Sequence, residues 1–144
     1  MFVSSGYDKP VGLAIRPDGH GDVTDTHIAW TTEKNVPRNS SMCVIGDELY
    51  MLDDGGIMSC LDAKSGTPIW QERVLGPCSA SLLHADGHLY AMDEKGTAVV
   101  IQPGKTLTVL ATNELKEKTL ASPAVCGSDL LLRTESHLYR VTKK

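Results

Sequence analysis

Short runs rich in Val, Ile, Leu and Tyr alternate along the chain with clusters of Gly, Asp and Pro. Inside many runs apolar and polar positions alternate one by one, the period of a strand with one covered face. A helical period is nearly absent. Only "TNELKEKTLA" offers a short helical turn, and its apolar positions are too few to pack a face. The pattern therefore predicts a nearly all-β chain of about 14 short antiparallel strands. Alternation within the runs marks Val44, Leu49, Met51, Leu82, Leu89, Val99, Val125 and Leu131 as core.

The runs themselves recur. "SSMCVIGDELYMLDDGGIMSCLDAKSGTPIWQERV" aligns with "SASLLHADGHLYAMDEKGTAVVIQPGKTLTVLATNEL". Each has an apolar run, a turn glycine (Gly46, Gly87), a Leu-Tyr pair (Leu49-Tyr50, Leu89-Tyr90), an acidic turn and two further runs. A partial copy, "LASPAVCGSDLLLRTESHLYRV", puts Gly127 forty positions after Gly87, and Gly56, Gly96 and Ser136 share that spacing. "FVSSGY", "GLAIRPDG" and "HIAW" read as the last three strands of a unit at the N-terminal end.

A period near forty with four short strands marks a β-propeller blade. One twisted sheet cannot cover both its faces, so successive units stack. The expected units are 1–32, 33–75, 76–116 and 117–144, the first and last incomplete. Four such units are read as part of a larger propeller of about seven or eight blades. Their end faces predict self-association to close the ring, against a strained four-unit monomer.

"CLDAKSGTPIW", Cys60–Trp70, spans a third strand, a tight turn and the start of a fourth. Asp62 is placed to accept the turn's N–H groups, and Gly66 to supply a positive φ. Trp70 is placed to cover the gap between neighbouring units while its indole N–H meets a carbonyl. This stretch resembles the repeat of the pyrroloquinoline-quinone-like propellers, Ala-x-Asp-x-x-Thr-Gly-x-x-x-Trp. Asp62, Gly66 and Trp70 match it, while Cys60 and Ser65 stand for the Ala and Thr. In the first unit Ala14 and Trp30 remain around a long insertion; in the third Gly104 remains, with Val109 or Leu110 where the Trp would fall.

The resemblance implies a bacterial relative of the quinoproteins, with a parent protein compatible with an extracytoplasmic site. In quinoprotein dehydrogenases it further implies an axial quinone, a Ca²⁺ held by carboxylate and amide ligands, a catalytic Asp and a pair of adjacent cysteines. This chain has no Cys-Cys pair, and no ligand set matches residue by residue. No catalytic, metal-binding or cofactor-binding residue is therefore assigned. Asp62, Gly66, Trp70 and Trp30 are taken as structural blade residues, and pyrroloquinoline quinone enters by resemblance only.

Composition narrows the partners. With 41% hydrophobic and 22% charged residues the 144-residue chain is globular in type. Its formal charge of −4 gives no basic stripe for a nucleic-acid backbone. No apolar run is long enough for membrane insertion, and "MFVSSGYDKPVG" lacks the pattern of a signal peptide. Cys43, Cys60, Cys78 and Cys126 lie too far apart for the usual zinc spacings and are expected to be buried free thiols.

In "DGHGDVTD", Asp18, His20, Asp22 and Asp25 alternate like the start of a Ca²⁺ loop. The twelfth position is Ala29 rather than a bidentate Glu, which favours a solvated hairpin loop. The turns Asp53-Asp54-Gly55-Gly56 and Asp93-Glu94-Lys95-Gly96 share composition because they share geometry. The five histidines do not cluster, no nucleophile-elbow motif occurs, and Asn39 heads a glycosylation sequon. The leading functional expectation is a non-catalytic scaffold or binding platform. Its alternatives are a fragment of a quinone-dependent dehydrogenase and, by fold analogy, an assembly scaffold like the outer-membrane assembly lipoprotein.

Overall fold

The computed structural model describes residues 1–142 and arranges them as fourteen strands in four antiparallel sheets, with no helix among the described residues. The first sheet contains β1 (Phe2–Ser5), β2 (Val11–Ile15) and β3 (Ile28–Thr32). The second contains β4 (Cys43–Ile45), β5 (Glu48–Leu52), β6 (Ile57–Asp62) and β7 (Pro68–Arg73). The third contains β8 (Leu83–Ala85), β9 (His88–Met92), β10 (Thr97–Gln102) and β11 (Thr108–Glu114). The fourth contains β12 (Ala124–Cys126), β13 (Asp129–Arg133) and β14 (Leu138–Val141).

Every sheet is a simple meander, its strands paired in chain order. Trp30 on β3 and Trp70 on β7 occupy matching places, so the first sheet has no counterpart of the leading strands β4, β8 and β12. Among the described residues the fourth sheet has no counterpart of the trailing strands β7 and β11.

Turn chemistry sets the register. Asp86 and Gly87 both have positive φ, 49° and 73°, the pairing a two-residue hairpin turn requires. At the second hairpin of the second sheet, Asp53 Oδ1 accepts the N–H groups of Gly55 (2.9 Å) and Ile57 (2.7 Å). Asp93 Oδ1 accepts those of Lys95 (3.0 Å) and Thr97 (2.8 Å) in the same way. These acidic turns are hairpin caps.

The core lies between sheets. Leu49, Met51 and Leu61 of the second sheet meet Phe2 and Trp30 of the first. From the opposite face, Tyr50, Leu52, Met58 and Cys60 meet Leu89, Ala91, Val99 and Ile101 of the third. Both faces of β5 are thus covered, and Leu49 through Leu52 are all fully buried.

Leu49, Met51, Leu89 and Val99 are buried, whereas Leu82 and Leu131 are half-buried. Val44 and Val125 depart from the expected core, being 48% and 47% exposed. Val44 lines an open groove with Phe2 and Ser4, beside a first sheet that has no leading strand to cover it. Val125 lines an open cleft between the third and fourth sheets.

Cys60 and Cys78 are buried and Cys43 half-buried, but Cys126 is exposed, at the end of the short leading strand β12. Burial pushes the thiols of Cys60 and Cys78 up to about 11 and about 12. For Cys78 the carboxylate of Asp93 adds to the effect.

Candidate functional site

The candidate residues converge on the junctions between sheets. Trp70 reaches from the second sheet to the third, where its indole Nε1 donates to the carbonyl of Gly104 at 3.0 Å. Trp30 does the same one unit earlier, donating to the carbonyl of Ala63 at 3.1 Å. Each tryptophan is therefore a latch onto the last turn of the following sheet.

The turn that receives Trp30 is the one built by Asp62. Asp62 Oδ1 accepts the N–H of Ser65 (2.8 Å), the hydroxyl of Ser65 (2.8 Å) and the N–H of Lys64 (3.1 Å). Those bonds, led by Ser65, hold the Asp62 carboxyl below the usual carboxylate range. Gly66 follows at φ 72°, and a Cβ there would lie 2.6 Å from the Trp30 ring. A side chain is thus excluded twice, by backbone conformation and by the indole.

The latch of Trp70 has a second layer. Its ring lies 6.1 Å from that of Tyr50 at 57°, a tilted aromatic pair. The Tyr50 hydroxyl donates to Glu48 Oε2 at 2.5 Å and accepts the N–H of Gly104 at 2.7 Å. Gly104 is therefore held through both its N–H and its carbonyl. Burial, then the bond to Glu48, pushes the Tyr50 hydroxyl well above the usual tyrosine range.

Two further devices repeat at the junctions, and neither was anticipated from the sequence. A serine ladder joins successive units: Ser41 N–H donates to Ser81 Oγ and Ser81 N–H to Ser122 Oγ, both at 2.9 Å. The connectors between sheets are also pinned on both sides. Cys78 N–H donates to Asp54 O and Glu94 N–H to Pro77 O. Thr119 N–H donates to Glu94 O and Glu135 N–H to Lys118 O. The signal in the sequence was the spacing of Ser41, Ser81 and Ser122, forty and forty-one residues.

The last junction is built differently. Its connector carries Glu117, which accepts from Thr134 Oγ1 (2.6 Å), His137 Nδ1 (2.8 Å to the nearer oxygen) and Tyr139 OH (3.0 Å). These donors, Thr134 first, hold Glu117 below the ordinary glutamate range, and the bond raises Tyr139. No tryptophan crosses here. Ala111, rather than the expected Val109 or Leu110, takes the place of Trp70, since it pairs with Val100 as Trp70 pairs with Cys60 and a bulge shifts the register by one. Leu110 stands half-exposed beside it on β11, and an open cleft of about 690 Å³ separates Tyr90 and His88 from Val125 and Leu130.

In the long β2–β3 loop, Asp22 Oδ1 accepts the N–H of Thr24 (3.0 Å), which lowers its carboxyl. Asp18 lies 3.6 Å from His27, and His20 and Asp25 are exposed. Among the described residues no three His, Cys, Asp or Glu side chains are grouped to hold a metal ion. Among them, too, no helix is long and apolar enough to cross a membrane.

No curated protein matches the sequence significantly. Solved structures do match. The crystal structure of BamB from Moraxella catarrhalis superposes with a TM-score of 0.70 at 18% identity, over 94% of this chain and 40% of that one. A europium-containing methanol dehydrogenase superposes with a TM-score of 0.58 at 14% identity, over 77% of this chain and 22% of that one. At such identities the likeness establishes the fold, a propeller of which these four sheets are a part. The chain spans less than half the length of either. The family described as outer membrane protein assembly factor BamB matches residues 21–138, most of the sequence, and the chain belongs to that family.

Proposed function

We propose that the chain is a non-catalytic propeller module, a scaffold and binding platform for another protein in an extracytoplasmic setting. The observation that carries this reading is the use of its polar side chains. Asp53, Asp62 and Asp93 are bound to backbone N–H groups of their own turns, and Glu117 is bound to three donors at a junction. Groups held in this way position loops and are not presented to a substrate. The name of the matching family and of the BamB structure describes outer-membrane protein assembly, which supports a protein partner and an extracytoplasmic location.

The dehydrogenase alternative asks for Ca²⁺ ligands around a quinone, and the engagement of the turn carboxylates with their own backbone speaks against it. The best-placed carboxylates already accept two or three hydrogen bonds each within their turns. The test is a titration with pyrroloquinoline quinone and Ca²⁺, followed by absorbance and thermal unfolding. No saturable change is expected. One-to-one binding with alcohol turnover would overturn the reading.

Self-association is a second proposal, carried by apolar side chains on the two outer sheets. Val3 is 39% exposed and Leu138 65% exposed, a poor arrangement for an isolated surface. Light scattering should give about twice the monomer mass of 15.5 kDa, and a constant 15.5 kDa across concentrations would refute it.

A further inference from the structure

A repeat protein supplies its own control. A residue demanded by the repeat's geometry recurs at its place in every unit, while one that serves an occupant need not. Matching hydrogen bonds define the places here. Asp53 and Asp93 take the N–H of Gly55 and Lys95, so these two residues correspond. The bonds Asp53 N–H to Ile57 O, Asp93 N–H to Thr97 O and Thr134 N–H to His137 O align Leu52, Met92 and Arg133. The serine ladder aligns Asn39, Ser79 and Leu120, two positions before each serine, and Pro37, Pro77 and Lys118, four before.

At four corresponding places the last junction breaks the pattern, three times toward a cation and once toward an apolar side chain. Lys95 replaces glycine, Lys118 replaces proline, Arg133 replaces buried Leu52 and Met92, and Leu120 replaces polar Asn39 and Ser79. All four line a single groove of about 620 Å³, together with Pro77 and Ala121. Leu120 is 68% exposed within it. None of the three cations forms an ion pair among the described residues. Of the two carboxylates that also line it, Glu94 already accepts the Ser79 hydroxyl at 2.6 Å, and Glu135 is exposed.

The corresponding groove at the first junction has the opposite sign, with Glu33, Asp53 and Asp54 against Arg38. Nor does composition explain a cationic groove, since the chain carries a net charge of −4.

We infer that this groove docks an acidic segment of a partner protein, with an apolar side chain of that segment seated on Leu120. The inference rests on the platform reading and deepens it. Three unpaired cations around one exposed leucine match carboxylates flanking an apolar anchor, and charge complementarity of this kind selects partners and speeds encounter.

The test is fluorescence anisotropy with a fluorescein-labelled peptide of sequence Glu-Asp-Glu-Leu-Leu-Asp-Glu, at low salt and near physiological ionic strength. Saturable one-to-one binding that weakens with salt is expected. Lys118→Glu and Leu120→Ser should each weaken it by roughly tenfold or more. Lys105→Glu, outside the groove, should leave it unchanged, and serines in place of the peptide's leucines should weaken it. Both groove side chains are exposed, and thermal melts check that the variants fold. Absent saturation, an equal loss with Lys105→Glu, or full binding by Leu120→Ser would each overturn the inference. So would phosphatidylglycerol vesicles or an oligouridylate binding through Lys118 and Leu120 where the peptide does not. Failure here leaves the quinone titration untouched, so it is distinguishable from failure of the platform reading.

Discussion

The middle junction and the last one share a skeleton and differ in filling. Both have a rung of the serine ladder and connectors pinned by backbone bonds to the turns on either side. The middle junction adds a continuous apolar cluster, Trp70 over Tyr50 and a doubly bonded Gly104. The last has Ala111 at the register place of Trp70, with Leu110 half-exposed beside it, and a cleft lined by Tyr90 and Val125. Polar bonds thus set how units are placed, and apolar burial sets how tightly they are held. This division follows from magnitudes: a neutral hydrogen bond contributes about 1 kcal/mol net, a buried large side chain several times that.

The sharpest way to break the comparison is to remove the filling. Trp70→Ala should cost about 3–5 kcal/mol, as large-to-small changes in packed cores do. Leu110→Ala, at a half-exposed place, should cost less than about 1 kcal/mol. Urea melts of the two variants measure both, and equal losses would show that the two junctions are filled alike.

A smaller effect sharpens the role of the receiving turn. Gly66→Ala meets both a left-handed backbone and the Trp30 ring, whereas Gly127→Ala, at φ 61°, meets open space. The second substitution should cost about 1–2 kcal/mol for conformation alone. The first should cost clearly more, and the difference in denaturant melts reports the indole contact.

The smallest expected effect is acidic. Glu117 is held below its ordinary value of 4.5 in the folded chain. A carboxyl lowered in this way contributes stability that is present above that ordinary value and lost as pH falls through the folded one. Amide exchange in β13 and β14 should therefore quicken as pH falls below that ordinary value, once corrected for intrinsic rates. Glu117→Gln should flatten that dependence while leaving exchange in β5 and β6 as it was.

Much of this was legible in the sequence, for physical reasons. Gly46, Gly87 and Gly127 exposed the forty-residue period because tight turns admit few residues. Trp70 stood out because a large flat side chain after a Gly turn has few structural uses. The two-sided core was not legible. Alternation selects one face, and so marks Leu49 and Met51 but not Tyr50, Leu52 and Met58. A strand covered on both faces has no alternation to detect. The serine ladder was hidden because Ser41, Ser81 and Ser122 look like ordinary turn composition until their partners are seen. The groove around Leu120 needed the register between units, which only the hydrogen bonds supply.

The serine ladder also has a mechanical consequence. Its rungs join neighbouring units one at a time, so a force applied at the two ends of the chain does not load them in parallel. Tension would peel β14 from the loosely filled fourth sheet and then break the Ser81–Ser122 rung before reaching the Ser41–Ser81 rung. Each released unit of about forty residues would lengthen the tether by roughly 130–140 Å. The protein would give way as a short staircase, with its tallest step at the junction that Trp70 closes.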